Sequence, residues 1–60
     1  MEKVEIYVRF PNESNYYTKI KIDPSKIDNP RIFTDEVFFN IDGITVATLK
    51  EEWNKIGKKN

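Results

Sequence analysis

Neither cysteine nor histidine occurs among the 60 residues of this chain. Without cysteine, the chain has no disulfide, no thiolate nucleophile and no sulfur ligand for a metal. Without histidine, it lacks the commonest general base and metal ligand near neutral pH. No Asp-x-Asp-x-Asp-Gly calcium loop compensates for these absences. We therefore expect no metal and no cofactor.

The acidic residues do not suggest an active site either. Asp42 is explained by a turn, Glu51 by the start of a helix, and Asp35-Glu36 by a solvated loop. Paired carboxylates perform acid–base catalysis only where their surroundings separate their pKa values, and a chain of this length has little room for such a cleft. We expect a protein that is not an enzyme.

The chain also lacks net charge, long apolar segments and a leader pattern. Ten basic and ten acidic side chains balance, so no strong field attracts nucleic acid or an anionic membrane. No apolar run approaches 18 residues, and no basic segment followed by an apolar one opens the chain. These features predict a cytoplasmic protein without a membrane partner.

The length predicts one small domain, residues 1–60. A domain of this size buries only about 60% of the surface that its unfolded chain exposes, so its stability is marginal. Since disulfides and metals are excluded, oligomerisation is the remaining source of additional stability.

The clearest structural signal is a β-hairpin in the second half of the chain. Apolar residues at every second position from Val37 to Ile41 are typical of a half-buried strand. Asp42-Gly43 favours a type I′ turn, because both central residues of that turn need a positive φ. A two-residue turn pairs Ile41 with Ile44, and the return strand is predicted to end at Ala47.

A short helix is predicted to follow this hairpin directly. Thr48 and Glu51 match the capping box, in which the hydroxyl and the carboxylate satisfy free N–H groups of the first turn. The apolar residues of the helix form one stripe at i, i+4 and i+7, namely Leu49, Trp53 and Ile56. Gly57 is expected to end the helix. A helix of about nine residues is unstable alone and must dock on the sheet.

Two further strands are predicted in the first half of the chain, over Val4–Phe10 and Tyr16–Ile22, joined by a turn-rich segment. If Phe10 faces Tyr16, the ladder continues with Val8 opposite Thr18. A slip by one residue would place lysines on the apolar face, so the pattern favours this register.

The connection from Asp23 to Glu36 is predicted to be a long loop, with a capped single turn at Asp23-Pro24. Its apolar residues are expected to cover part of the sheet, namely Ile27, Ile32 and Phe33. The fold class is therefore α+β: a four-stranded antiparallel sheet (β-β-loop-β-β) with one C-terminal helix packed on it. We favour meander strand order, and the alternative places the first strand beside the last. The final residues, 58–60, are expected to fray.

The sheet face opposite the helix is the predicted interface. A nine-residue helix, about 13 by 10 Å, covers less than half of a four-stranded face of about 19 by 17 Å, so apolar surface is left over. The opposite face is rich in aromatic residues, which is typical of an interface. Its candidate interface residues, for a dimer or another partner, are Tyr7, Arg9, Tyr17, Lys19 and Phe38.

These observations favour a small non-enzymatic protein-binding domain that forms a homodimer. This face is the favoured contact between the copies, and the helix side of the sheet is the alternative. A short chain rich in Ile, Lys and Asn is typical, by association, of phage or mobile-element accessory proteins, so we expect an inhibitor or accessory factor acting on a host protein. The alternative is a single-stranded nucleic-acid-binding protein that uses the Tyr/Arg/Lys face of the N-terminal hairpin.

Overall fold

The computed structural model describes residues 3–57. This part of the chain forms five strands, one α-helix and one short 3₁₀ helix. In chain order they are β1 (Val4–Arg9), β2 (Tyr17–Ile22), the 3₁₀ helix (Pro24–Lys26), β3 (Asp28–Ile32), β4 (Glu36–Ile41), β5 (Ile44–Leu49) and α1 (Lys50–Lys55). All strand pairs are antiparallel, so the α+β class with one C-terminal helix is confirmed. The predicted fraying of 58–60 lies outside the described residues.

The prediction of four strands is wrong, because β3 forms inside the connection that was expected to be a loop. It pairs with β4 at the sheet edge, with a break in register between Asp28 and Arg31. Asn29 has a φ of 52° at this bulge, and Pro30 follows it. An edge strand tolerates both features, since an edge residue needs a partner on one side only.

The strand order in the described residues is β2-β1-β5-β4-β3, so the meander is wrong and the first strand lies beside the last. Burial explains this order. The central strand, β5, contains three consecutive fully buried residues: Val46, Ala47 and Thr48. A strand buried on both faces belongs in the middle of a sheet. The lysine-bearing β2 and the proline-bearing β3 occupy the edges, where polar side chains and a missing N–H cost least.

Both hairpins have the predicted registers. Asp42 and Gly43 adopt φ values of 53° and 78°, as a type I′ turn requires, and Ile41 pairs with Ile44. In the N-terminal hairpin, Val8 pairs with Thr18, and the ladder ends one residue before the expected Phe10–Tyr16 pair.

The predicted capping box is wrong. β5 continues through Thr48 to Leu49, which is the residue before the helix and makes no side-chain capping bond. Thr48 instead donates from Oγ1 to the carbonyl oxygen of Tyr7 at 2.7 Å. Glu51 is exposed, whereas Glu52 accepts the Tyr7 N–H at 3.1 Å on Oε1.

A gap in the ladder explains why these two side chains bind Tyr7. The pairing of β1 with β5 is two residues long, because the chain leaves the sheet to enter α1. Tyr7 therefore lacks a strand partner on that side, and its partly buried carbonyl needs another one. The Thr48 hydroxyl and the Glu52 carboxylate take the place of the missing strand.

The core lies between α1 and the sheet. Trp53 contacts Phe39 with their ring centroids 5.5 Å apart. The buried apolar residues of this cluster are Ile6, Val8, Ile22, Val37, Phe39, Val46, Trp53 and Ile56. The stripe prediction fails for Leu49, which still belongs to β5 and pairs with Glu36 on the other side of the sheet. Ile27 packs against the core as expected, but Ile32 and Phe33 are exposed.

Candidate protein-binding face

The sheet face opposite α1 is called the back face. The strand registers place one residue of each strand in a single row across it, in the order Tyr17, Arg9, Ala47, Phe38 and Arg31. Tyr7 and Lys19 pair with each other two residues further along their strands. Because alternate residues of a strand share a face, all five residues predicted for the interface lie on the back face.

A hydrogen-bonded network occupies the centre of the back face. Glu36 accepts two bonds on Oε2, one from Arg9 Nη2 at 2.9 Å and one from the Tyr17 hydroxyl at 2.8 Å. The Arg9 guanidinium also lies 5.9 Å from the centre of the Tyr17 ring. The bonds span from β2 to β4, across the small and fully buried Ala47 of β5.

The network favours the ordinary charge states of its members, a charged Arg9 and Glu36 and a neutral Tyr17. The hydrogen bond from Arg9, followed by the one from Tyr17, lowers the pKa of Glu36 below its usual value. Partial burial, followed by the bond to Glu36, raises the pKa of Tyr17. The same carboxylate raises the pKa of Arg9. Arg9 is therefore a compensated cation, and its charge is already satisfied within the chain.

Tyr7 and Lys19 lie beside this network. The Lys19 ammonium is 5.4 Å from the centre of the Tyr7 ring, and Tyr7 remains 44% exposed. The backbone of Tyr7 is held on the β5 side by Thr48 and Glu52. Because this backbone is already held, burial of the ring by a partner would order only the side chain.

A second aromatic pair lies on the β3 side of the back face. The rings of Phe38 and Phe33 meet edge to face, with their centroids 5.7 Å apart. Phe38 is half-buried, whereas Phe33 is 56% exposed. Leu49 adds a further exposed apolar side chain to this face.

Sequence reasoning missed several members of this face, among them Phe33, Glu36 and Leu49. Phe33 was expected to cover the core, Glu36 to lie in a solvated loop, and Leu49 to belong to the helix stripe. The alternation of Arg31, Ile32 and Phe33 between the two faces of a strand could have indicated that Phe33 lies on the back face. It requires that β3 be recognised as a strand, and Asn29 and Pro30 argue against that locally.

Other kinds of site have little support in the part of the chain that the structure describes. Within residues 3–57, no three Asp or Glu side chains are grouped as a metal site would need, and no helix is long and apolar enough to span a membrane. A shallow depression lies where the connection before β4 meets the start of α1. It is lined by Thr34, Asp35, Leu49, Lys50 and Glu51.

Comparisons of the chain with protein-family models, with curated proteins and with solved structures found no match. The back face is the feature of this molecule from which a function can be argued.

Proposed function

We propose that this chain is a small, non-enzymatic protein-binding domain of the cytoplasm that acts as a homodimer. We further propose that it serves as an inhibitor or accessory factor of the phage or mobile-element type, directed at a host protein. The observation that carries the proposal is the back face. Exposed aromatic and apolar side chains surround a polar network there that is already satisfied internally.

The composition of the back face supports a protein partner. Protein interfaces are enriched in tyrosine, phenylalanine and arginine and depleted in free charge at their centre. Tyr7 and Phe33 supply exposed rings on the two sides of the face, and Leu49 is 38% exposed. A partner that covers the centre does not leave an unpaired charge behind, since Arg9 and Glu36 compensate each other.

The charges of the same face argue against the nucleic-acid alternative. A single-strand binding surface combines stacking rings with cations that are free to meet phosphates. Here Arg9 is paired with Glu36, and Arg31 donates to Asn40 Oδ1. The Tyr17 ring is half-buried. Lys19 beside Tyr7 is the feature that keeps this alternative worth testing.

The test is affinity capture with matched variants. Tyr7→Glu places a charge on the back face without entering the core, and Lys26→Glu places the same charge on the exposed 3₁₀ helix. Circular dichroism should show both variants folded. We expect one protein from a lysate of the producing or host cell to bind the wild type and Lys26→Glu, and to be lost with Tyr7→Glu.

A parallel titration with fluorescent single-stranded DNA and RNA decides between the two functions. We expect no saturable binding at about 0.15 M salt. Equal capture of the partner by Tyr7→Glu would contradict the proposed face. Saturable, salt-sensitive oligonucleotide binding that Tyr7→Glu abolishes would instead establish the nucleic-acid function.

A further inference from the structure

The two edges of the sheet differ in their capacity to pair with another strand. The β3 edge is interrupted by a bulge, a positive φ at Asn29 and a proline without an N–H group at position 30. β2 forms the other edge, and all six of its residues pair with β1 in one uninterrupted register. In residues 3–57, β2 is thus the edge that remains regular enough to accept a strand.

The hydrogen bonds of Tyr7 show which groups β2 presents at this edge. Both backbone groups of Tyr7 are bonded on the β5 side, to Glu52 and Thr48. Residues opposite each other in an antiparallel pair either exchange both bonds or direct both away from each other. Lys19, opposite Tyr7, therefore directs its N–H and C=O to the open edge. The period of two extends this to Tyr17 and Lys21.

We propose that the open edge of β2 pairs antiparallel with β2 of a second copy, around a two-fold axis at Lys19. The inference rests on the homodimer of the proposed function and assigns its contact. Five strands from each copy would join into one continuous sheet. The Tyr17, Lys19 and Lys21 backbone groups of both copies would then be bonded.

The side chains of β2 complement their own copy in this register. With Lys19 on the axis, Tyr17 faces the partner's Lys21, and this pair occurs twice. A lysine ammonium beside a tyrosine ring is an arrangement that the sheet already contains between Lys19 and Tyr7. On the other face, the exposed Thr18 would meet the partner's half-buried Ile20.

Tyr16 provides a second observation at the same edge. It directly precedes β2 and is 82% exposed, more than any of the other exposed large hydrophobic residues in the described chain. In the proposed pairing it lies across from the end of the partner's β2. A contact between copies at this edge therefore gives a partner to a ring that a single chain leaves in water.

Four ammonium groups oppose the pairing, those of Lys19 and Lys21 in each copy, because like charges across a strand pair repel. The interaction with the Tyr7 ring draws the Lys19 ammonium towards β1 and away from the axis. Since added salt screens this repulsion, dimerisation should strengthen as salt rises. An acidic strand from another protein would bind the same edge with the opposite salt dependence.

The pairing has a consequence for function. Residues directly opposite each other in an antiparallel pair place their side chains on the same side of the sheet. The back faces of the two copies would therefore join into one surface. Sequence reasoning favoured the back face as the dimer contact, whereas edge pairing leaves it free for the partner protein.

The test uses cysteine substitutions, since the chain contains no native cysteine. In Lys19→Cys, the two sulfur-bearing residues would have Cα atoms about 5.5 Å apart, within the range that a disulfide spans. In Lys21→Cys, the two positions would be separated by about four residues of strand, roughly 13 Å, which is too far. Lys26→Cys is an exposed control away from the edge.

We expect Lys19→Cys to form a covalent dimer under mild oxidation at micromolar concentration. The reaction should be at least about tenfold faster than for either control, because paired strands hold the thiols at high effective concentration. A Lys19→Cys rate no higher than that of Lys26→Cys overturns the pairing. If the wild type then still sediments as a dimer, the homodimer of the proposed function survives with its contact elsewhere. A monomeric wild type would contradict both the edge pairing and the homodimer.

Discussion

Replacement of Thr48 by valine tests how β1 is joined to β5. Valine keeps the shape of the threonine side chain and removes the hydroxyl that donates to the Tyr7 carbonyl at 2.7 Å. Thr48 itself is fully buried and its bond to Tyr7 is partly buried, so water can replace the lost donor only in part. The variant therefore isolates one hydrogen bond between sequence-distant strands.

The expected cost follows from the burial of this bond. A typical intramolecular hydrogen bond contributes about 1 kcal/mol, and leaving a buried group unsatisfied costs about 1–3 kcal/mol. We expect Thr48→Val to lower the free energy of unfolding by about 1–3 kcal/mol. A 60-residue domain has a total of about 3–9 kcal/mol at the usual value per residue. The variant should fold and be measurably weaker.

Urea denaturation followed by Trp53 fluorescence measures this loss, and the midpoint should fall while the slope stays constant. Glu51→Ala is the matched control. Because Glu51 is exposed and caps nothing, we expect a change within about 0.5 kcal/mol. A neutral Thr48→Val would refute the assigned role of the hydroxyl. Coupled losses at Thr48 and Glu51 would show that the capping box forms after all.

Three further changes test other parts of the fold. Trp53→Ala removes the ring that packs on Phe39 and should cost about 3–5 kcal/mol, enough to unfold much of the population. In the wild type, an emission maximum typical of water-exposed indole would contradict the burial of Trp53. Gly43→Ala places a side chain at a φ of 78° and should cost about 1 kcal/mol by urea denaturation, so an unchanged midpoint would argue against the type I′ turn. The lowered pKa of Glu36 means that its ionised form stabilises the folded state above its ordinary pKa of about 4.5, and that this contribution is lost as pH falls through the lowered value. Glu36→Gln should therefore be less stable than the wild type at pH 7 and lose less stability on acidification, and parallel acid titrations of the two would contradict the network.

The sequence predicted the parts of the fold that depend on neighbouring residues. Asp42-Gly43 determines the register of one hairpin, because a two-residue turn leaves one pairing of the flanking strands. In the N-terminal hairpin, the alternation of apolar and charged residues determines the register. That register in turn placed Arg9 beside Tyr17 and Tyr7 beside Lys19, as the structure has them.

The errors concern contacts between distant segments. Thr48 and Glu51 match a local capping motif, but the unpaired carbonyl of Tyr7, 41 residues away, binds the hydroxyl instead. β3 was missed because Asn29 and Pro30 disfavour a strand locally, and pairing with β4 at an edge overrides that preference. The burial of Val46, Ala47 and Thr48, which marks β5 as the central strand, is visible only in the structure.

The same distinction between local pattern and contacts of distant segments applies to the candidate site. The five predicted interface residues share a face because strand alternation alone places them there. Glu36 was not recognised as the common partner of Arg9 and Tyr17, since it reaches Arg9 across one intervening strand and Tyr17 across two. Only the strand order brings these three side chains together. Their role in binding stays a prediction.

Sedimentation of the wild type over a range of concentrations tests the proposed homodimer most directly. We expect a mass of twice the 7.1 kDa chain at micromolar concentration. The melting temperature should rise with protein concentration, because folding and association are linked. A mass of 7.1 kDa at every concentration, with a constant melting temperature, would contradict the homodimer.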